Sequence, residues 1–177
     1  MFQVPKAARS YVQTNFGDRK PVTITLREAE HYTFRNSNIK AWLKFAGDLK
    51  DKGEDVIFIR DTAKGNETIT GFETHPPASF NISARAAIYE RAKCNLFVSN
   101  GPCSLAWFLP SPYLTFIRFH DPNYEVHSTD FWREQCGLEP GAQWPWAKPG
   151  QRLVYEADDY ENLCAAWEEH DGSTKAG

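Results

Sequence analysis

A doubly wound α/β fold, built on a mainly parallel sheet of five strands, is what this sequence of 177 residues predicts. Three observations carry the reading. Short β-branched or aromatic runs alternate five times with stretches of helical period. No Asn-Gly hairpin joins one run to the next, so consecutive strands need crossover connections. The length suits a single domain.

Residues 1–21 have mixed polarity and end in the turn cluster Gly17-Asp18-Arg19-Lys20-Pro21, so they read as a lead-in segment. The domain proper is expected over 22–170, with a flexible tail over 171–177. Val22-Thr23-Ile24-Thr25-Leu26 is the first strand. Asn36-Ser37-Asn38 can cap a helix over 39–52, in which Ile39, Trp42, Leu43, Phe45, Ala46 and Leu49 recur at steps of three and four. Gly53 ends it as a glycine just past a helix does. Val56-Ile57-Phe58-Ile59 is the second strand, followed by a long loop over 63–80. A helix over 81–93 should turn Ile82, Ala86, Tyr89 and Ala92 inward. Leu96-Phe97-Val98 is the third strand, 103–109 a short helix, and 113–117 the fourth strand. Residues 121–150 read as irregular, with a helical piece over 131–136. Arg152-Leu153-Val154-Tyr155 is the fifth strand, and Asp158 caps a last helix that runs to Glu169.

Composition sets the outer bounds. Apolar residues make up 41% and charged residues 24%, the balance of a soluble globular domain. Lys plus Arg is 20 against 23 for Asp plus Glu, a net charge of −3, which offers no general grip on nucleic acid. No apolar run approaches the ~18–20 residues that span a bilayer. The N-terminus lacks the apolar core of a signal peptide. The four cysteines, at 94, 103, 136 and 164, form no C-x-x-C pair, so a cytoplasmic protein with reduced thiols is expected. Cys94 and Cys164 are placed on apolar helix faces as core residues. His31, His75, His120, His127 and His170 show no metal-ligand spacing, and no metal is expected. P-loop, G-x-G-x-x-G and G-x-S-x-G motifs do not occur.

In sheets of this kind ligands bind beyond the carboxyl ends of the strands, at the point where strand order reverses. The exits here are Arg27-Glu28, Asp61-Thr62, Ser99-Asn100-Gly101-Pro102 and Arg118-Phe119-His120. With an order beginning 2-1-3, Arg27 and the Asn100-Gly101 turn would face one crevice. That turn has two readings. Asn100 caps a helix, Gly101 permits positive φ and close approach of a ligand, and Pro102 suits the first helical turn. The turn either simply joins strand to helix, or the amides of 103–105 hold a diphosphate. Arg27 is either a phosphate fork or the partner of Glu28 or Glu30. Arg35 and Asn36 either begin a helix or add a second anion contact. Asp61 either binds a ribose hydroxyl or orders its loop. Trp144-Pro145-Trp146 is either a plug over the 121–150 segment or a stacking wall for a ring.

The run SARAAIYERAKCNLFVSNGP at 83–102, then a short helix, then Pro112-Tyr113-Leu114-Thr115-Phe116, resembles the nucleotide-sugar-binding half of GT-B glycosyltransferases. It is similar above all to bacterial proteins of that class with an Asn-Gly-Pro turn and a Trp-Pro-Trp-Ala segment. The same arrangement occurs in UDP-sugar 2-epimerases. The resemblance covers roughly 22–170 and implies a Rossmann-like sheet, one half of the GT-B fold. A looser similarity to fucosyltransferases would put the donor diphosphate on Arg27 and Ser99 to Gly101, and the nucleoside near Asp61. Thr25-Leu26-Arg27-Glu28 supplies one arginine where that branch has His-x-Arg-Arg, and the E-x7-E arrangement of many retaining enzymes is not evident.

The resemblance implies a donor-binding domain for a nucleoside-diphosphate sugar, taken as substrate, with no cofactor. Its candidate binding residues are Arg27, Arg35, Asn36, Asp61, Ser99, Asn100, Gly101, Pro102, Cys103, Ser104 and Arg118. A catalytic base is expected outside this stretch, because a GT-B enzyme needs two halves and the length here matches one. The chain would then be the C-terminal part of a longer protein, a subunit that needs a partner domain or a second copy, or a degenerate nucleotide binder. Two other readings stand beside it. One is a non-catalytic α/β interaction domain. The other is an epimerase-like enzyme relying on Asp61, His75 and His120.

Overall fold

The computed structural model describes residues 3–119 and 128–175. The strands β1 (Val22–Thr25), β2 (Val56–Ile59), β3 (Glu73–Thr74), β4 (Cys94–Val98), β5 (Tyr113–Phe116) and β6 (Gln151–Val154) form one sheet in the order β3-β2-β1-β4-β5-β6. Every neighbouring pair is parallel. The five strands expected from the sequence are present. The sixth, β3, is a two-residue edge strand inside the segment read as a loop; Glu73 and Thr74 carry no apolar signal.

The helices are α1 (Lys6–Phe16), α2 (Ile39–Asp51), α3 (Pro76–Phe80), α4 (Ile82–Arg91), α5 (Gly101–Trp107), α6 (Thr129–Cys136) and α7 (Tyr160–Lys175). Pleating sends alternate strand residues to opposite faces. Ile57, Ile59, Phe97, Tyr113 and Leu153 pack with residues of α1, α3, α4, α5 and α6. Val22, Ile24, Val56, Phe58, Leu96 and Phe116 pack with α2 and α7. Both faces are covered, so every position of β1, β2, β4 and β5 is buried.

Several local expectations change. The first element is α1, not β1: Val4, Ala8, Val12 and Phe16 join the core, and Arg9 pairs with Glu90 of α4 at 2.6 Å. The helix expected over 81–93 is α4, capped by Asn81 through the amides of Ser83 and Ala84, and a further short helix, α3, lies inside the segment read as a loop. Ile82 opens that helix 70% exposed, not inward. Cys94 begins β4 and does not lie on a helix. Asp159, not Asp158, accepts from Asn162 at the start of α7. No helix among the described residues is long and apolar enough to cross a membrane.

Candidate functional site

The chain leaves β1, builds outward to β3, then crosses back to β4, so the order reverses between β1 and β4. Beyond β1 the backbone folds into a loop held by two side chains. Arg27 donates through Nη1 to the Tyr32 carbonyl (3.0 Å) and to Asn36 Oδ1, and through Nη2 to the His31 carbonyl (3.1 Å). Asn36 also bonds both backbone groups of Ala29. Within this loop Tyr32 takes a left-handed conformation, φ 56°. Arg27 therefore ties its own loop, and Glu28 is held elsewhere. Asn36 does not begin the helix; Asn38 does, accepting from Ala41.

The exits of β1 and β2 are fastened together. Glu28 lies almost buried against Arg60, with contacts of 2.5 and 2.9 Å, and Lys64 stands 3.5 Å away. Burial pushes the Glu28 carboxyl up, but the Arg60 guanidinium and the Lys64 ammonium together more than reverse this and hold it below the usual carboxylate range. Asp61 accepts from the Thr62 amide (2.7 Å) and the Glu28 amide (3.2 Å), so it orders this junction.

At the β4 exit, Asn100 caps α5 by accepting from the Cys103 amide at 3.0 Å. The Cys103 thiol donates back to the Asn100 carbonyl at 2.8 Å, and burial pushes that thiol up to about 12. Ser104 Oγ donates to the Gly101 carbonyl at 2.7 Å. Gly101 does not take positive φ. A Cβ there would meet nothing within 4 Å, so the position stands open. Arg35, not Arg27, reaches across to this exit, with Nη2 3.5 Å from the Ser99 carbonyl.

A cavity of about 510 Å³ opens between the exits of β2 and β4, the strands on either side of β1. Gly101, Pro102, Ser104 and Phe108 line one side; Thr62, Ser79, Phe80 and Ile82 line the other. Phe80 is braced from behind, since a Cβ on Gly65 would come within 2.7 Å of its ring. The cavity also contains a residue that sequence reasoning missed. Arg85 is 8% exposed and donates to the carbonyls of Ala78 (2.6 Å) and Ser79 (3.4 Å). The available signal was an arginine set among the alanines Ala84, Ala86 and Ala87, in a helix stretch whose neighbours are all small and apolar.

Other candidates serve the frame. Arg118 donates to Asp158 (2.6 Å) and to the Phe34 carbonyl (3.3 Å). Asp158, 2% exposed, also accepts from the Asn38 amide and Trp42 Nε1, both at 2.7 Å. His75 lies against Tyr11 and Phe16 of α1. His120 and His127 fall outside the described residues. Trp144 is buried among Trp107 and Trp132, which fits a plug, while Trp146 stacks on both Trp144 and Phe108 and stays half-exposed. Among the described residues no group of three His, Cys, Asp or Glu side chains could hold a metal ion.

No family model matches the chain, and no curated protein does. Solved structures do. Escherichia coli ADP-heptose LPS heptosyltransferase II superposes with a TM-score of 0.61 at 13% identity, over 98% of this chain and 52% of its own. The glycosyl transferase family 9 protein of Veillonella parvula gives 0.63 at 10% identity, over 96% and 52%. Escherichia coli heptosyltransferase WaaC with ADP-2-deoxy-2-fluoro heptose gives 0.58 at 16% identity, over 98% and 50%. The chain spans about half the length of the structures it matches, and its fold is that of one half of a GT-B-type glycosyltransferase.

Proposed function

We propose that this chain is the donor-binding half of a glycosyltransferase and holds a nucleoside-diphosphate sugar beyond the carboxyl ends of β1, β2 and β4. One observation supports the reading most: the 510 Å³ cavity opens beside the point of strand-order reversal in a fold shared with glycosyltransferase halves. The volume falls within the ~300–1,000 Å³ of small-molecule sites. Its aromatic rim, Phe80 and Phe108, suits a base or sugar ring. In this reading Ser99, Asn100, Gly101 and Ser104 border the diphosphate, and Arg35 brings positive charge to the same turn. Charge that develops on the leaving diphosphate is then met by guanidinium and backbone donors. A second half-domain, in the same protein or a partner, supplies the acceptor and the catalytic base.

Calorimetric titration with ADP, UDP and GDP tests this, with ADP first because one matched glycosyltransferase was solved with an ADP-sugar analogue. Binding with amide shifts confined to 61–64, 78–85 and 99–108 is expected. No heat and no shift at millimolar nucleotide would sink the reading. One observation favours a non-catalytic interaction domain instead: Phe80, Ile82 and Phe108 stand 53%, 70% and 52% exposed around the cavity. Concentration-dependent sedimentation without nucleotide binding would decide for it.

A further inference from the structure

We infer that Arg85, buried in the wall of the cavity between the β2 and β4 exits, is an anion-recognition residue that reads a phosphoryl group carried on an aromatic or apolar body. The argument begins with charge. A guanidinium that is more than nine-tenths buried is costly unless a counter-charge accompanies it. Arg85 has none among the described residues. Its two hydrogen bonds go to the backbone carbonyls of Ala78 and Ser79, at the end of α3. Those contacts fix the fork in place, and they leave its charge uncompensated. Nη1 makes no hydrogen bond among the described residues, nor is it among the buried atoms that lack one, so it keeps contact with open space. That space is the cavity, of which Arg85 is a lining residue.

The neighbouring side chains narrow the ligand class. Thr62 already donates its hydroxyl proton to the Ser79 carbonyl, and Ser104 donates to the Gly101 carbonyl. The guanidinium is thus the side-chain donor left for a ligand among the described lining residues. Phe80, Ile82, Leu105 and Phe108 make the rest of the wall apolar. A site with one fixed cationic fork and apolar walls selects an amphiphile whose charged end is planar or tetrahedral oxyanion, and phosphate matches the fork. The inference deepens the donor-binding reading and rests on it only for the ligand's identity as a nucleotide.

The test uses the full chain and probes that separate the two ideas. Phenyl phosphate and its neutral counterpart phenol are titrated by calorimetry, then ADP. Phenyl phosphate is expected to bind at least tenfold more tightly than phenol. Arg85→Gln should erase that ratio, Arg85→Lys should keep most of it, and neither should change phenol binding. Equal affinity for phenyl phosphate and phenol in the unaltered protein overturns the inference without need of a variant. So does binding of neither probe, or an Arg85→Gln protein that keeps the ratio. If phenyl phosphate binds through Arg85 while ADP does not bind, the anion site stands and the donor reading falls. If ADP binds and Arg85→Gln leaves its affinity unchanged, the donor reading stands and the anion site falls. Should Arg85→Gln unfold, Gly101→Val narrows the same cavity and must weaken phenyl phosphate binding for the inference to hold.

Discussion

Removing the Asp158 carboxylate should be among the most damaging single changes in this chain. Its Oδ2 accepts from both the Asn38 amide and Trp42 Nε1 at 2.7 Å, and its Oδ1 accepts from Arg118 at 2.6 Å. Three segments meet there: the start of α2, the exit of β5 and the entry to α7. Asp158→Ala leaves Trp42 Nε1 without an acceptor inside a fully buried ring environment. A buried donor left unpaired costs about 1–3 kcal/mol, and losing the part-buried Asn38 amide bond adds about 1 kcal/mol. Arg118 is 36% exposed and recovers most of its loss from water. The expected cost is therefore about 2–4 kcal/mol, a large part of the ~5–15 kcal/mol that holds a domain of this size. Urea denaturation of the wild type, Asp158→Ala, Trp42→Phe and the double variant measures it. Trp42→Phe should cost less in the Asp158→Ala background than alone, by about 1–2 kcal/mol. An Asp158→Ala loss under about 1 kcal/mol, or strict additivity with Trp42→Phe, refutes the assignment of Asp158 as the junction of these segments.

Three further outcomes follow from the geometry. Gly101→Ala adds a methyl to open space at a helical position, so stability should stay within about 0.5 kcal/mol of wild type while nucleotide affinity falls; unchanged affinity by calorimetry would separate Gly101 from the site. Gly65→Ala drives a Cβ to 2.7 Å from both Ser79 and the Phe80 ring, which should cost about 1–3 kcal/mol in urea melts and shift the Phe80 ring resonances. Burial lowers the His75 imidazole below its ordinary value, against a smaller opposing pull from Glu73. Its share of stability is therefore complete above about pH 6.5 and is lost as pH falls through the folded value, so His75→Gln should flatten that part of the stability–pH curve.

The sequence declared the sheet because four of its strands are buried on both faces and a fifth nearly so. Val22 to Thr25 and Val56 to Ile59 must be apolar or β-branched throughout, and a run of that kind is visible without any partner. It could not declare β3, whose two residues pair only through their backbones at the sheet's edge. Nor could it declare α1 as part of the core. Ala8, Val12 and Phe16 recur at a step of four, but only these three residues of the helix are buried and most of the others are polar. At the candidate site the legible part was local. Asn100 and Pro102 mark a helix start by their own backbone chemistry, and the cap is found there. What stayed hidden were pairings between distant segments, such as Glu28 with Arg60 or Asp158 with Trp42, which sequence spacing does not encode.

The arginines near the strand exits show why composition alone misleads about an anion site. Arg27 spends its fork on the carbonyls and carboxamide of its own loop, Arg60 on the Glu28 and Glu67 carboxylates, and Arg118 on Asp158. A phosphoryl group drawn to any of these would have to compete with a contact that holds a loop or a strand end in place. At Arg60 and Arg118 it would also have to displace a carboxylate that already neutralises the charge. Arg85 differs on both counts. Its acceptors are neutral carbonyls at the end of α3, and an arriving anion supplies the missing counter-charge without removing any existing bond. Three of these guanidiniums thus hold loops and strand ends in place, and the fourth, which lines the cavity, is the one whose electrostatic free energy improves when an anion fills it.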